Sequence, residues 1–102
     1  MIARIWRGAV RAQQADEYYR YLEQTGLKEY RQTAGNRGVQ VLRRIQGETC
    51  EYLLITFWES WEAIRRFAGD QPEKAVYYPR DREFLLELEP NVQHFEVMET
   101  GS

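Results

Sequence analysis

The segment Glu51-Tyr52-Leu53-Leu54-Ile55-Thr56-Phe57-Trp58 constrains this chain more than any other. Its β-branched and aromatic content reads as a strand, and alternate residues of a strand point to opposite faces. Leu53, Ile55 and Phe57 share one face, and Tyr52, Leu54, Thr56 and Trp58 share the other. A half-solvated strand alternates apolar with polar residues; this one is bulky on both sides, so both faces require cover. A chain of 102 residues covers one face with its own helices. The second face calls for a partner, and a second copy of the chain is the expected one, with a chamber between the subunits.

The rest of the sequence supplies the elements that such a sheet needs. Residues 2–10 read as a first strand, and residues 13–30 carry Ala15, Tyr18, Tyr19 and Leu22 at helical spacing, with a break or kink at Gly26. Residues 39–46 and 50–59 read as two strands joined by a turn at Gln46-Gly47-Glu48-Thr49. Ser60 has the chemistry of an N-cap, Trp61, Ile64, Phe67 and Ala68 form the stripe of a second helix with Trp61 in the core, and Gly69 suits its end. A third helix is expected over residues 79–88, with Phe84, Leu85 and Leu88 inward, and a last strand over residues 91–98. The order β-α-β-β-α-(α)-β is that of two split βαβ units. It predicts an α+β, ferredoxin-like βαββαβ fold with a four-stranded antiparallel sheet. The domain is expected to span residues 1–98, leaving 99–102 as a tail.

Composition excludes several partners. Lys and Arg number 14 against 16 Asp and Glu, with no basic run, so neither nucleic acid nor an anionic membrane is expected as a partner. The N-terminus lacks a charged region followed by an apolar core, so no signal peptide is expected, and the single cysteine, Cys50, suits a reducing compartment, the cytoplasm by default. The uncovered sheet face has a footprint of roughly 400 Å². Its burial contributes about 10 kcal/mol at most, against an association cost on the order of 4–15 kcal/mol. Contacts from strand or helix ends are therefore expected to add to the dimer.

Strand parity gives the inventory of candidate site residues. With Leu53, Ile55 and Phe57 placed under the helices, Ala3, Ile5, Phe95 and Val97 follow them. The opposite face then carries Arg4 and Trp6, Tyr52, Thr56 and Trp58, and His94 and Glu96. His94, the only histidine, suits general acid-base work near neutral pH, tuned by Glu96 or Arg4; a hydrogen-bonded structural histidine is the alternative. Arg4 either holds a carboxylate or phenolate or pairs with Glu96 at the chamber rim. Trp6, Tyr52 and Trp58 either stack on a flat aromatic ligand or pack a dimer core. The run Tyr77-Tyr78-Pro79-Arg80-Asp81 either closes over a pocket mouth or forms a helix start with Arg80 and Asp81 exposed. One His and one Cys on different strands do not supply the three or four ligands of a usual metal site. Phosphate loops, nucleophile elbows and paired cysteines are all missing from the sequence.

Over residues 2–98 the chain resembles the antibiotic biosynthesis monooxygenase family of the dimeric α+β barrel superfamily. The resemblance rests on Phe57-Trp58-Glu59-Ser60-Trp61-Glu62-Ala63-Ile64 at the strand-to-helix junction and on the closing Val92-Gln93-His94-Phe95-Glu96-Val97. It implies a homodimer whose substrate chamber lies between sheet and helices. It also implies a cofactor-independent monooxygenase acting on a small aromatic or polyketide-like substrate. His94 would handle the proton, Arg4 would stabilise the anion, and Trp6, Tyr52 and Trp58 would shape the pocket. The haem-degrading branch of the family uses an Asn on the first strand, a Trp on the third and a His on the second-half helix. Here Trp58 matches the Trp, but the first strand offers Arg4 and Trp6, and no His lies between Trp58 and Asn91. From a different class, the alternative is a non-catalytic dimer that binds a small hydrophobic ligand or serves a stress response.

Overall fold

The computed structural model describes residues 1–101. Its strands are β1 (Ile2–Arg11), β2 (Asn36–Gln46), β3 (Thr49–Trp58) and β4 (Gln93–Glu96). They form one antiparallel sheet in the order β2-β3-β1-β4. Helices α1 (Ala15–Gln24), α2 (Gly26–Gln32), α3 (Trp61–Ala68) and the single turn α4 (Asp81–Phe84) cover one face. This is the expected ferredoxin-like α+β fold. Among the described residues, no helix is long and apolar enough to cross a membrane.

The two faces of β3 are reversed from the expectation. Tyr52, Leu54, Thr56 and Trp58 are buried under the helices, whereas Leu53, Ile55 and Phe57 are only half-buried on the bare face. The helices explain the choice. They present Tyr18, Tyr21 and Tyr30, broad rings that fill a deep layer and carry hydroxyls needing partners. Tyr52 meets that layer with both its parts: its ring sits edge-on to Tyr18 at 5.4 Å, and its hydroxyl donates to the Ala15 carbonyl at 2.6 Å. Trp58 lies edge-on to Tyr30 at 6.4 Å. Parity between strands holds as expected, since Arg4 pairs with Thr56, Trp6 with Leu54 and His94 with Arg4. The whole set therefore turns inward together. Ala3, Ile5 and Phe95, expected under the helices, share the bare face with Ile55 and Phe57.

The helical stretch expected over residues 13–30 is divided. A 3-10 turn (Ala12–Gln14) leads into α1, and the chain leaves helical geometry at Thr25 (φ −119°, ψ −97°). The Thr25 hydroxyl donates back to the Tyr21 carbonyl at 2.8 Å, and the break falls at Gly26 as expected, with the glycine opening α2. α3 starts as expected, with Ser60 Oγ accepting from the Ala63 N–H at 3.1 Å. Trp61, expected in the core, is 44% exposed and lies against His94.

The helix expected over residues 79–88 shrinks to α4. β4 pairs only with residues Ile2 to Ile5 of β1, so the far end of β1 would lack a neighbour on that side. The chain after α4 fills the gap in extended form: Leu85 bridges Val10, and Leu86 N–H donates to the Ala9 carbonyl at 2.9 Å. Leu88, expected inward, is exposed as a result.

Candidate functional site

Between sheet and helices remains a cavity of about 20 Å³, room for about one water. The sheet contributes Arg4, Trp6 and Leu54 to its walls, and the helices contribute Tyr18, Leu22, Gly26 and Tyr30. The connection before α4 adds Val76 and Tyr78, and Asp81 opens α4 itself.

Arg4 is the residue on which the site turns. It is 2% exposed, and its guanidinium packs over the Phe67 ring at 5.4 Å. Its Nη2 donates to the Lys74 carbonyl at 2.8 Å and, more weakly, to the Pro72 carbonyl at 3.4 Å. Its Nε is buried without a partner. The expected Arg4–Glu96 pair does not form: Glu96 is exposed beside Ile2 at the edge of the sheet. Among the described residues, Arg4 thus carries a buried charge with no acid bonded to it. Burial holds its pKa below the usual value, with Tyr30 and Tyr78 pulling the other way. Even so lowered, a guanidinium stays cationic near neutral pH. The Tyr30 phenol is pushed up to about 12 by burial, an effect that the nearby Arg4 charge opposes.

Beneath Arg4, the Trp58 indole donates to Thr56, which donates to the Arg4 carbonyl, so both residues brace the site from inside the sheet. Trp6 forms one wall, and its indole donates to the Tyr77 hydroxyl at 3.3 Å. That hydroxyl donates in turn to the Glu89 carbonyl. Tyr78 forms part of the opposite wall and is tied by its hydroxyl to the Glu29 carboxylate at 2.7 Å. The segment with Tyr77 and Tyr78 therefore does lie against the cavity. Arg80 does not: its side chain is exposed, stacked over Tyr21 and Phe84 and paired with Glu83 at 3.1 Å. Tyr52 is buried in the same layer but outside the cavity lining, held between Ala15 and Arg43.

His94 stands beside the site, not in it. It is half-buried opposite Arg4, with its ring 4.7 Å from that of Trp61 and its Nε2 buried without a partner. It does not line the cavity. Burial first, and the Arg4 charge second, hold its pKa below the ordinary value, with Glu73 opposing. The imidazole is therefore neutral near pH 7.

Asp81 is the residue that sequence reasoning missed. Read as the exposed start of a helix, it is 3% exposed and lines the cavity. Tyr18 donates to its Oδ1 at 3.0 Å, and the Tyr78 N–H donates to its Oδ2 at 2.7 Å. Burial raises its pKa, and these two hydrogen bonds partly offset the rise. The one sequence signal was its position just after two tyrosines, which says nothing of the third, Tyr18, that reaches it from α1.

No family model and no curated protein sequence matches the chain. Solved structures do. MhuD, a haem degrader from Mycobacterium tuberculosis seen with two haems in its active site, superposes with a TM-score of 0.66 at 21% identity over 100% of both chains. A mutant of MhuD with two manganese protoporphyrins per active site gives 0.67 at 22% identity, over 100% of this chain and 99% of that one. A Bacillus cereus protein described as a candidate antibiotic biosynthesis monooxygenase gives 0.64 at 15% identity, over 99% of this chain and 96% of that one. At these identities the likeness establishes the fold: the chain has the ferredoxin-like α+β fold of these proteins.

Proposed function

We propose that the chain is a homodimeric, cofactor-independent monooxygenase whose substrate is a small aromatic or polyketide-like molecule bound as an anion against Arg4. The observation that carries this reading is the buried guanidinium with an unused Nε and no acid bonded to it. A buried charge is costly unless it is paired, so an anionic ligand is its natural complement. Trp6, Tyr18 and Tyr30 offer ring surfaces for the aromatic body. An aromatic ligand exceeds the space of about 20 Å³, so binding requires the lining side chains, Tyr78 among them, to move apart.

In the reaction, a phenolic O–H, or a C–H of a CH₂ next to a carbonyl, gives up a proton, and the resulting anion passes one electron to O₂. The radical pair joins as a C–O–O⁻ bond. Protonation and loss of water leave a C=O group, so substrate and O₂ become oxidised substrate and water. Arg4 stabilises the anion that starts the sequence.

Haem, which MhuD binds, fits these residues poorly. The only histidine lies outside the cavity lining, its ring against Trp61, and no other imidazole exists to ligate iron. The apolar bare face, with Ile5, Leu53, Ile55 and Phe57 at its centre, is the surface on which a second copy would pack. The buried free thiol of Cys50 suits a reducing, cytoplasmic setting.

Oxygen uptake with a panel of hydroquinones and anthrone-type phenols tests the reading. Uptake by the wild type that is lost in Arg4→Met supports it. If no member of the panel is consumed, the oxygenase reading falls. The nearly filled cavity favours a second reading, a binding dimer without turnover. It predicts that aromatic acids raise the melting temperature while oxygen is not consumed.

A further inference from the structure

Two buried charges of opposite sign border one small cavity, and neither neutralises the other. Arg4 is bonded to backbone carbonyls, and Asp81 to the Tyr18 hydroxyl and the Tyr78 N–H. Both side chains are at least nine-tenths buried and both line the space of about 20 Å³. Either charge alone would be costly, and a ligand that meets both compensates both.

The geometry points to Asp81 as the proton acceptor of this site, taking the proton of an acidic aromatic substrate while Arg4 holds the anion that results. The inference rests on the anion site proposed above and goes beyond it by naming the base. The step moves one proton and no electrons. A substrate O–H or C–H bond breaks, an O–H bond forms on Asp81, and the electron pair left on the substrate faces Arg4.

The carboxylate is held for this task. Each of its oxygens has two acceptor positions, and the Tyr18 and Tyr78 bonds use one on each. Tyr18 is fixed by its neighbours, with ring centroids of Phe84 at 5.3 Å and Tyr52 at 5.4 Å, so it acts as a positioning residue. Around Asp81 stand Tyr18 from α1, Tyr30 from α2, Tyr77 and Tyr78 from the preceding connection, and Arg4 across the cavity. Arg80, Arg82 and Glu83 of its own turn are exposed. Burial shifts the carboxyl toward the range useful for a base near neutral pH. His94 is the other titratable candidate, but it does not line the cavity, and its ring lies against Trp61.

The experiment uses 4-nitrophenol as probe, bound to the full chain without oxygen, so that turnover plays no part. Absorbance reports the phenolate, and calorimetry in two buffers of different ionisation enthalpy counts protons released. The wild type should bind the probe as phenolate at a pH below the free phenol's pKa, releasing no proton to solvent. Asp81→Asn should release one proton per probe bound, and its affinity at acidic pH should fall at least about tenfold, one pKa unit in the ionisation curve. Tyr18→Phe removes a bond that stabilises the Asp81 anion, so the acid limb should move to higher pH while the proton is still retained. It also decides the matter if circular dichroism shows Asp81→Asn unfolded: an unmoved limb then overturns the proposal. If the wild type releases the proton as Asp81→Asn does, Asp81 is not the acceptor and the Arg4 site stands without it. If the wild type binds no probe, the anion site itself falls, and this inference with it.

Discussion

The Trp58 indole N–H donates to the Thr56 hydroxyl at 2.8 Å, and that hydroxyl donates across to the Arg4 carbonyl on β1 at 3.2 Å. Both side chains are buried, so no water replaces either bond. Thr56→Val keeps the shape of the side chain and removes both bonds, stranding an indole N–H in the core. The expected loss is about 1–3 kcal/mol in urea denaturation. Thr56→Ser, which retains the hydroxyl, should recover most of it. Equal stability of the two variants would show that the hydroxyl contributes nothing.

Arg4 should show the reverse relation between stability and binding. Its desolvated guanidinium is unmatched by an acid, and the Pro72 and Lys74 carbonyls that it meets lie on a surface connection, where water can replace it. Arg4→Met fills much of the same volume without the charge. Such replacements are often neutral or stabilising by about 1–4 kcal/mol. The melting temperature of the variant should therefore match or exceed that of the wild type, while affinity for aromatic anions falls at least about tenfold, or 1.4 kcal/mol. A large drop in melting temperature would mean that Arg4 serves the fold first.

Topology was legible in the sequence because it depends on periodicity and turn chemistry, which are local. The pairing of Arg4, Trp6, Thr56 and Trp58 on one face was legible too, since parity passes from strand to strand through the register. Which face the helices cover was not. Both faces of β3 are apolar, and the choice depends on how Tyr18, Tyr21 and Tyr30 fit against Tyr52 and Trp58. Gly8 shows the same limit. A Cβ there would lie 2.2 Å from the Trp6 ring, so the glycine is the seat on which that indole lies. Asp81 was illegible because its partners come from α1 and from backbone geometry, and its sequence neighbours are exposed.

The bare face should carry self-association. Ile5 and Ile55 lie opposite each other at its centre, with Leu53 and Phe57 alongside on β3. Salt bridges of Glu51 with Arg7 and Arg44 form a polar rim. Ile55→Lys puts a charge in the middle of that face while leaving the helix-covered core untouched. Sedimentation equilibrium at micromolar concentration should find a dimer for the wild type and a folded monomer for the variant. A monomeric wild type would overturn the dimer.

His94 should make the protein sensitive to mild acid. Its pKa in the folded chain lies below the ordinary 6.5, through burial first and the Arg4 charge second. The unfolded chain therefore takes up the proton more readily. This stabilising contribution is fully present above about 6.5 and is lost as the pH falls through the folded pKa. His94→Gln removes that component, so its urea midpoint should fall less than that of the wild type between pH 7 and pH 5. The carboxylates are common to both chains and cancel in the comparison. Because His94 is the only histidine, its imidazole C–H signal gives the pKa directly by NMR titration. In Arg4→Met the value should rise toward 6.5 as the neighbouring charge disappears. A His94 pKa at or above the ordinary value in the wild type would show that the ring is open to water and that Arg4 does not act on it.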